Sequence, residues 1–196
     1  MEPVTLTHDN PYIFSGHFEE KYLFSRLVDL FGKEIPADRE AAFLCIGIDR
    51  SAGDCFGPMT GTLLKQMRVP NVLGTLEEPV HAGNIMRIHD GMVKSKHFLV
   101  AIDASLGAAG EVGFLKVKRG PLTPASAMGR DLTPVGDLSV VLNVSVGGIA
   151  NYLLLQSASV NLVWKGANVL ARAIFTALYA RRKVSSPLTS KTLVLV

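Results

Sequence analysis

Two short stretches constrain the fold more than anything else in this chain. Residues 41–48 (AAFLCIGI) and 97–104 (HFLVAIDA) are nearly unbroken apolar runs. A strand that is apolar on both sides must be covered on both sides, which is the situation of the central strands of a parallel sheet flanked by helices. Residues 137–146 form a third run of this kind. Between the three runs the apolar positions fall into helical spacing, so strands alternate with helices and the expected architecture is α/β.

The rest of the chain fills in that frame. Residues 16–31 predict an amphipathic helix, with Leu23, Leu27, Leu30 and Phe31 on one stripe and Gly32 as its stop. Residues 33–40 read as a linker around Pro36. Residues 49–57 (DRSAGDCFG) form a polar, glycine-rich loop, and Pro58 opens a helix that runs to about Arg68. A weak strand is expected over 71–76, a helix over 82–93, a loop over 105–110 and an edge strand over 112–118. Residues 119–137 hold three prolines and read as a long irregular connection, a kind of segment that often carries function. Helices are expected over 149–158 and 161–183, the second ending in Arg181, Arg182 and Lys183, which complement the helix dipole. The expectation is one domain over 1–196: an N-terminal helix and linker to residue 40, a core over 41–183, and a loose segment or added edge strand over 184–196.

Charge is sparse and uneven. The chain is 48% apolar and 19% charged, which excludes disorder. No carboxylate side chain follows Asp137, and residues 138–164 carry no charge at all. A membrane span needs about 20 mostly apolar residues. This run is interrupted by Asn143, Gly147, Gly148, Asn151, Gln156 and Asn161, so it reads as buried strand, helix and turns with no membrane partner. A net charge of +3 is too small to argue for nucleic acid. The N-terminus lacks a signal-peptide pattern, and the two cysteines, Cys45 and Cys55, make neither a metal finger nor a disulfide framework. A reduced, cytoplasmic setting is expected. So little charge also leaves apolar surface over, which favours a homo-oligomer.

Ligands of open α/β sheets gather at the carboxyl ends of the strands. Asp49, Asp54 and Asp103 all fall there: Asp49 after the first strand, Asp54 in the loop before a helix, and Asp103 closing FLVAID. Two carboxyls facing one crevice share a proton over a wide pH range, so one donates while the other accepts. That is the equipment for activating water against a carbonyl. Asp54, just before a helix N-terminus, is expected to be the ionised member and Asp103 the protonated one. Asp54 would equally serve as a cap or turn former, and Asp49 as one half of a loop pair with Arg50. Arg50, Ser51, Gly53 and His81 are candidate substrate-binding residues around the same mouth. Gly47, Gly53 and Gly57 do not make a dinucleotide fingerprint and there is no P-loop, so they either shape the turn or let a ligand approach. No histidine pair has metal-ligand spacing, and neither a cofactor nor a metal is expected. Cys55 and Ser51 have no assignable base.

At these residues the chain resembles a known family. CIGIDRSAGDCFGP (45–58), VHAGN (80–84), VAIDASLG (100–107), GPLTP (120–124), VGDLSVVLNVS (135–145) and LLLQSASVNLV (153–163) together resemble the YyaC-type sporulation proteins of endospore-forming bacteria. That family is similar to the germination protease, which degrades small acid-soluble spore proteins, and to the hydrogenase-maturation endopeptidases. The resemblance implies a three-layer α/β/α fold with a mostly parallel, phosphorylase/hydrolase-like sheet. It implies an aspartate-dependent endopeptidase whose two acids fall at Asp54 (DCFGP) and Asp103 (IDA), acting on a protein or peptide substrate such as a small acid-soluble spore protein. The chain departs from these relatives in three ways. It is much shorter than the germination protease. All five of its histidines precede Asp103, so the metal-binding histidine of the hydrogenase-maturation enzymes has no counterpart. The Asp49-Arg50 pair is peculiar to the YyaC-type branch. Two other readings use the same crevice: a non-catalytic sporulation protein that binds a partner there, and a metal-dependent hydrolase of small molecules.

Overall fold

The structure is a computed structural model that describes residues 11–94, 96–124 and 133–185. Its elements follow the order β1 (Phe14–His17), α1 (Leu23–Glu34), β2 (Ala41–Cys45), α2 (Phe56–Gln66), β3 (Val72–Leu73), α3 (Ile85–Lys94), β4 (Phe98–Gly107), β5 (Phe114–Arg119), β6 (Leu138–Val146), α4 (Asn151–Gln156) and α5 (Val160–Ser185). One six-stranded sheet has the order β1-β5-β6-β4-β2-β3. The pairs β6–β4, β4–β2 and β2–β3 are parallel, and β5 runs antiparallel to both of its neighbours. The sheet is therefore mostly parallel, and the fold is α/β as expected.

The unbroken apolar runs behave as two-sided strands. In β2, Phe43 and Cys45 enter one core while Ala42 and Leu44 enter the other; in β4, Val100 and Ile102 divide from Leu99 and Ala101 in the same way. The larger core lies under α1, α2 and α5, with Phe31, Phe43 and Phe56 fully buried in it. The smaller core lies under α3, around Ile85 and Val135. Helices thus cover both faces, but unequally. On α5 the small residues Ala167, Ala171 and Ala177 let the helix sit close to its neighbours. A Cβ on Gly166 would come within 2.6 Å of Leu142.

Several local expectations are corrected. Residues 14–17 are a strand, because Phe14 and Gly16 alternate inward against β5, so the helix expected from residue 16 starts only at Leu23. The strand ends where Glu20 Oε1 accepts the His17 N–H at 2.8 Å. As a result β5 is an inner strand, and β1, absent from the sequence reading, forms the edge. Gly32 does not stop α1; the helix ends at Glu34, and Ile35 is extended because Pro36 follows it. The charge-free run over 138–164 divides into β6, α4 and the start of α5. Among the described residues no helix is long and apolar enough to cross a membrane. Helix α5 runs on to Ser185, and the rest of the expected loose C-terminal segment lies outside the described residues, as does the middle of the long 119–137 connection.

Candidate functional site

The sheet order builds the site. After β2 the chain passes through α2 to β3 on one side of β2, then through α3 back to β4 on the other side. The two crossovers use opposite faces, α2 packing on the larger core and α3 on the smaller. Between β2 and β4 the connections therefore diverge, leaving a crevice at the carboxyl ends of the strands. A cavity of about 560 Å³ opens there. Asp54 and Asp103 both line it, with Arg50, His81, Ser105 and Tyr152 among the other walls.

Asp103 does not close its strand: β4 continues to Gly107. What ends at Asp103 is the pairing on one side. Cys45 pairs with Ile102, the Ile46 N–H donates to the Ile102 carbonyl at 2.7 Å, and beyond that β4 is paired to β6 alone. Asp103 is thus the first residue of β4 whose flank is open. Asp54 arrives from the other side, on the loop before α2. Backbone contacts hold that loop. The Gly53 N–H donates to the Leu155 carbonyl at 2.8 Å, and the Cys55 N–H to the Ser51 carbonyl at 2.9 Å. Gly47 has φ +145, and a Cβ there would stand 1.9 Å from the Asp54 carbonyl oxygen. A Cβ on Gly57 would stand 2.0 Å from the Ile46 carbonyl oxygen. These glycines press the loop against the strand end, and Gly47 also lines the cavity. The first turn of α2 has no capping side chain, so Asp54 is not the cap of that helix.

Both acids are 8% exposed. Burial raises the Asp54 carboxyl from 3.8 to about 6, against a smaller opposite pull from the Ile48 backbone N–H. Asp103 is pushed well above the ordinary carboxylate range, first by burial and then by the charge of Asp54; the Ala104 N–H, 2.8 Å from Oδ1, acts the other way. The pair therefore separates: Asp54 ionises first, and its charge makes Asp103 keep its proton. One buried carboxylate and one buried carboxylic acid share a cavity, an arrangement suited to moving a proton to or from a bound molecule.

The remaining candidates divide. Arg50 and His81 line the cavity. The Arg50 side chain is 85% exposed and stands 3.9 Å from Asp49. His81 Nδ1 accepts the Gly83 N–H at 3.1 Å, and its own backbone N–H donates to Asn84 Oδ1 at 2.9 Å. Asp49, Ser51 and Gly53 do not line the cavity; they shape the loop that carries Asp54. Cys55 is buried and its thiol donates to the Asp49 carbonyl at 3.2 Å, while burial and the charge of Asp49 push its pKa up. Among the described residues no three His, Cys, Asp or Glu side chains are grouped to hold a metal. Arg181, in the basic end of α5, lies by Glu40 and Ala41 at the start of β2, at the opposite end of the strands from the acids.

Sequence reasoning missed the far wall, which comes from β4, the turn after β6, and α4. Ser105 lines the cavity and donates to Asn143 Oδ1. Asn151 and Tyr152 of α4 also line it, Asn151 Oδ1 accepting the Gly148 N–H at 2.9 Å. Beside Tyr152 the apolar side chains of Ile149 and Leu153 stand exposed. Ser105 carried one available signal, its place two residues beyond Asp103 on what proved to be the same strand.

Comparison with known proteins agrees with this architecture. The chain belongs to the family described as a protein of unknown function (DUF1256), whose model matches residues 15–173. It is 42% identical over 142 residues to the uncharacterized protein YyaC of Bacillus subtilis (strain 168), covering 70% of this chain and 69% of that one. Among solved structures it is similar to the [NiFe] hydrogenase maturation protease HycI of Thermococcus kodakarensis KOD1. That likeness has a TM-score of 0.55 and 19% identity, and covers 76% of this chain and 99% of the other. At that identity the likeness is one of fold.

Proposed function

We propose that this member of the DUF1256 family is a peptidase that hydrolyses a peptide bond with Asp54 and Asp103. The observation that carries the reading is the pair itself: two acids buried in one cavity at the β2–β4 divergence, one raised to about 6 by burial and the other pushed well above the ordinary carboxylate range by burial and then by the charge of the first. In this mechanism Asp54, ionised, takes a proton from a water that attacks the scissile carbonyl. Asp103 donates its proton to the developing oxyanion. The tetrahedral intermediate collapses as the oxyanion returns that proton to Asp103 and Asp54 passes the other to the leaving amine. The protease-like fold and the YyaC likeness support the reading, with a small acid-soluble spore protein as the substrate and the cytoplasm of an endospore former as the setting.

Incubation of the protein with small acid-soluble spore proteins, read by mass spectrometry, tests this directly. Discrete fragments are expected from the wild type and none from Asp54→Asn or Asp103→Asn. Full activity in both variants, or an intact substrate with the wild type, overturns the proposal. A second reading, partner binding without turnover, is favoured by the exposed Ile149, Tyr152 and Leu153 and by the exposed Arg50 at the cavity. It predicts capture of the spore protein uncleaved, weakened by Arg50→Ala. The same apolar exposure supports a homo-oligomer, which sedimentation at micromolar concentration would show as a mass above one chain.

A further inference from the structure

Behind the cavity wall runs a chain of polar side chains that the proposed hydrolysis does not use. Lys116 on β5 is 9% exposed, and its Nζ is 2.6 Å from Glu111 Oε1. Glu111 Oε2 in turn accepts from Asn143 Nδ2 at 3.4 Å. Asn143, on β6, is 3% exposed, and its Oδ1 accepts from the Ser105 hydroxyl. Ser105 is opposite Asn143 in the β4–β6 register, and its side chain shares a sheet face with that of Asp103 two residues before it.

The chemistry of this relay admits one direction. Lys116 has only protons to give, so Glu111 is held as a carboxylate, its pKa lowered by that contact. A carboxylate only accepts, so the Asn143 amide must turn its NH₂ toward Glu111 and its oxygen toward Ser105. The Ser105 hydroxyl has one proton, and Asn143 Oδ1 takes it. What Ser105 has left to offer the cavity is a pair of lone pairs. A serine on an unconstrained wall would give or accept according to its ligand; this one is set.

We propose that Ser105 is a fixed hydrogen-bond acceptor that selects a ligand carrying an N–H donor, the backbone amide of a polypeptide segment, in the cavity beside Asp103. This names what the cavity recognises and rests on the peptide reading only for the word polypeptide. Asn143, Glu111 and Lys116 are positioning residues that act through Ser105. The absence of a second proton at Ser105 also rejects a carbonyl or carboxylate group at that point, since two acceptors would face each other there.

The test uses two minimal amides and does not depend on proteolysis. N-methylacetamide has one N–H, and N,N-dimethylacetamide has none but keeps the carbonyl. Titrations of each into the whole protein are followed by the ¹⁵N–¹H resonances of residues 103–107. The wild type is expected to bind N-methylacetamide about fivefold more tightly, the discrimination one net hydrogen bond supplies. Ser105→Ala is expected to remove the preference and Ser105→Thr to keep it. Asn143→Leu, which frees the hydroxyl to rotate and donate, is expected to narrow it below twofold without abolishing binding. Equal affinity of the wild type for the two amides, no response of these resonances to either, or a preference that survives Ser105→Ala would overturn the assignment. A protein that cleaves nothing yet prefers the N–H amide refutes the peptidase and keeps Ser105; one that cleaves but shows no preference does the reverse.

Discussion

Replacing Asp54 by Asn should make the protein more stable at neutral pH while abolishing its proposed chemistry. The magnitude follows from the cavity. Burial carries the Asp54 carboxyl from 3.8 to about 6. In the unfolded chain Asp54 loses its proton near pH 4; in the folded protein it holds it to about pH 6. Between those values the native state binds the extra proton, so stability falls as pH rises through the window, and the loss is complete above it. The full cost is roughly 3 kcal/mol at pH 7.5 and about 1 kcal/mol at pH 4.5. Asparagine has the same shape, carries no charge and can still accept the Ile48 N–H through its oxygen. It also removes the Asp54 charge, which after burial is the second cause that raises Asp103. Urea unfolding of wild type and Asp54→Asn, followed by circular dichroism at both pH values, measures the difference. The variant should gain up to about 3 kcal/mol at pH 7.5, or roughly 6–12 °C in melting temperature for a chain of this size, and far less at pH 4.5. A variant no more stable than wild type at pH 7.5, or one with the same gain at both pH values, would refute the reasoning that burial strains this carboxylate.

The same two acids set a pH profile: cleavage should rise through about pH 6 as Asp54 ionises and fall at higher pH as Asp103 loses its proton, and a rate flat between pH 5 and 7 would count against the assignment. Gly47→Ala places a Cβ 1.9 Å from the Asp54 carbonyl oxygen at φ +145. It should cost more than about 2 kcal/mol in denaturant unfolding and reduce activity by displacing Asp54, and a neutral outcome would mean that the loop is not pressed on the strand. Cys55 is buried with a raised pKa, so intact-mass measurement should find no iodoacetamide adduct on the native protein under conditions that modify Cys45 and Cys55 in urea. Cys55→Ala should keep cleavage within a few-fold of wild type, whereas equal loss with Asp54→Asn would make the thiol a participant.

The strands that could be read in advance are those whose burial is visible in composition alone. AAFLC and FLVAI have no polar side to misplace, so the two-sided parallel strand was the only economical reading, and with it came the crossover helices and the positions of Asp54 and Asp103. FSGH is different. Four residues with one large apolar side chain carry no strand signal of their own, and Phe14–His17 is a strand because β5 offers it an edge. Tertiary pairing decided that element, and the error passed on to β5, which looks like an edge until β1 is known. The end of α1 shows the opposite case: Pro36 was recognised as a breaker, and its effect on Ile35 rather than the permissive Gly32 ends the helix.

The site was half legible for the same physical reason. Asp54 and Asp103 stand out because a carboxylate beside an apolar run has few uses except chemistry or capping, and α2 is not capped by one. The far wall had no such contrast. Ser105 and Asn143 are ordinary polar residues 38 positions apart, and they meet only because the β4–β6 register sets one opposite the other just before the bulge at Ser105/Leu106. A shift of one residue in that register would turn Asn143 onto the other face and leave Glu111 with no amide to orient. The direction of the Ser105 hydroxyl is therefore a property of strand pairing and not of any local motif. It also constrains substitution asymmetrically: in Asn143→Asp a carboxyl oxygen still takes the Ser105 proton, whereas Glu111→Gln has a single oxygen, and with that oxygen on Lys116 its NH₂ faces residue 143 and turns the Asn143 NH₂ toward Ser105. Glu111→Gln should therefore narrow the preference for N-methylacetamide over N,N-dimethylacetamide more than Asn143→Asp does, and an unchanged preference in Glu111→Gln would count against the relay.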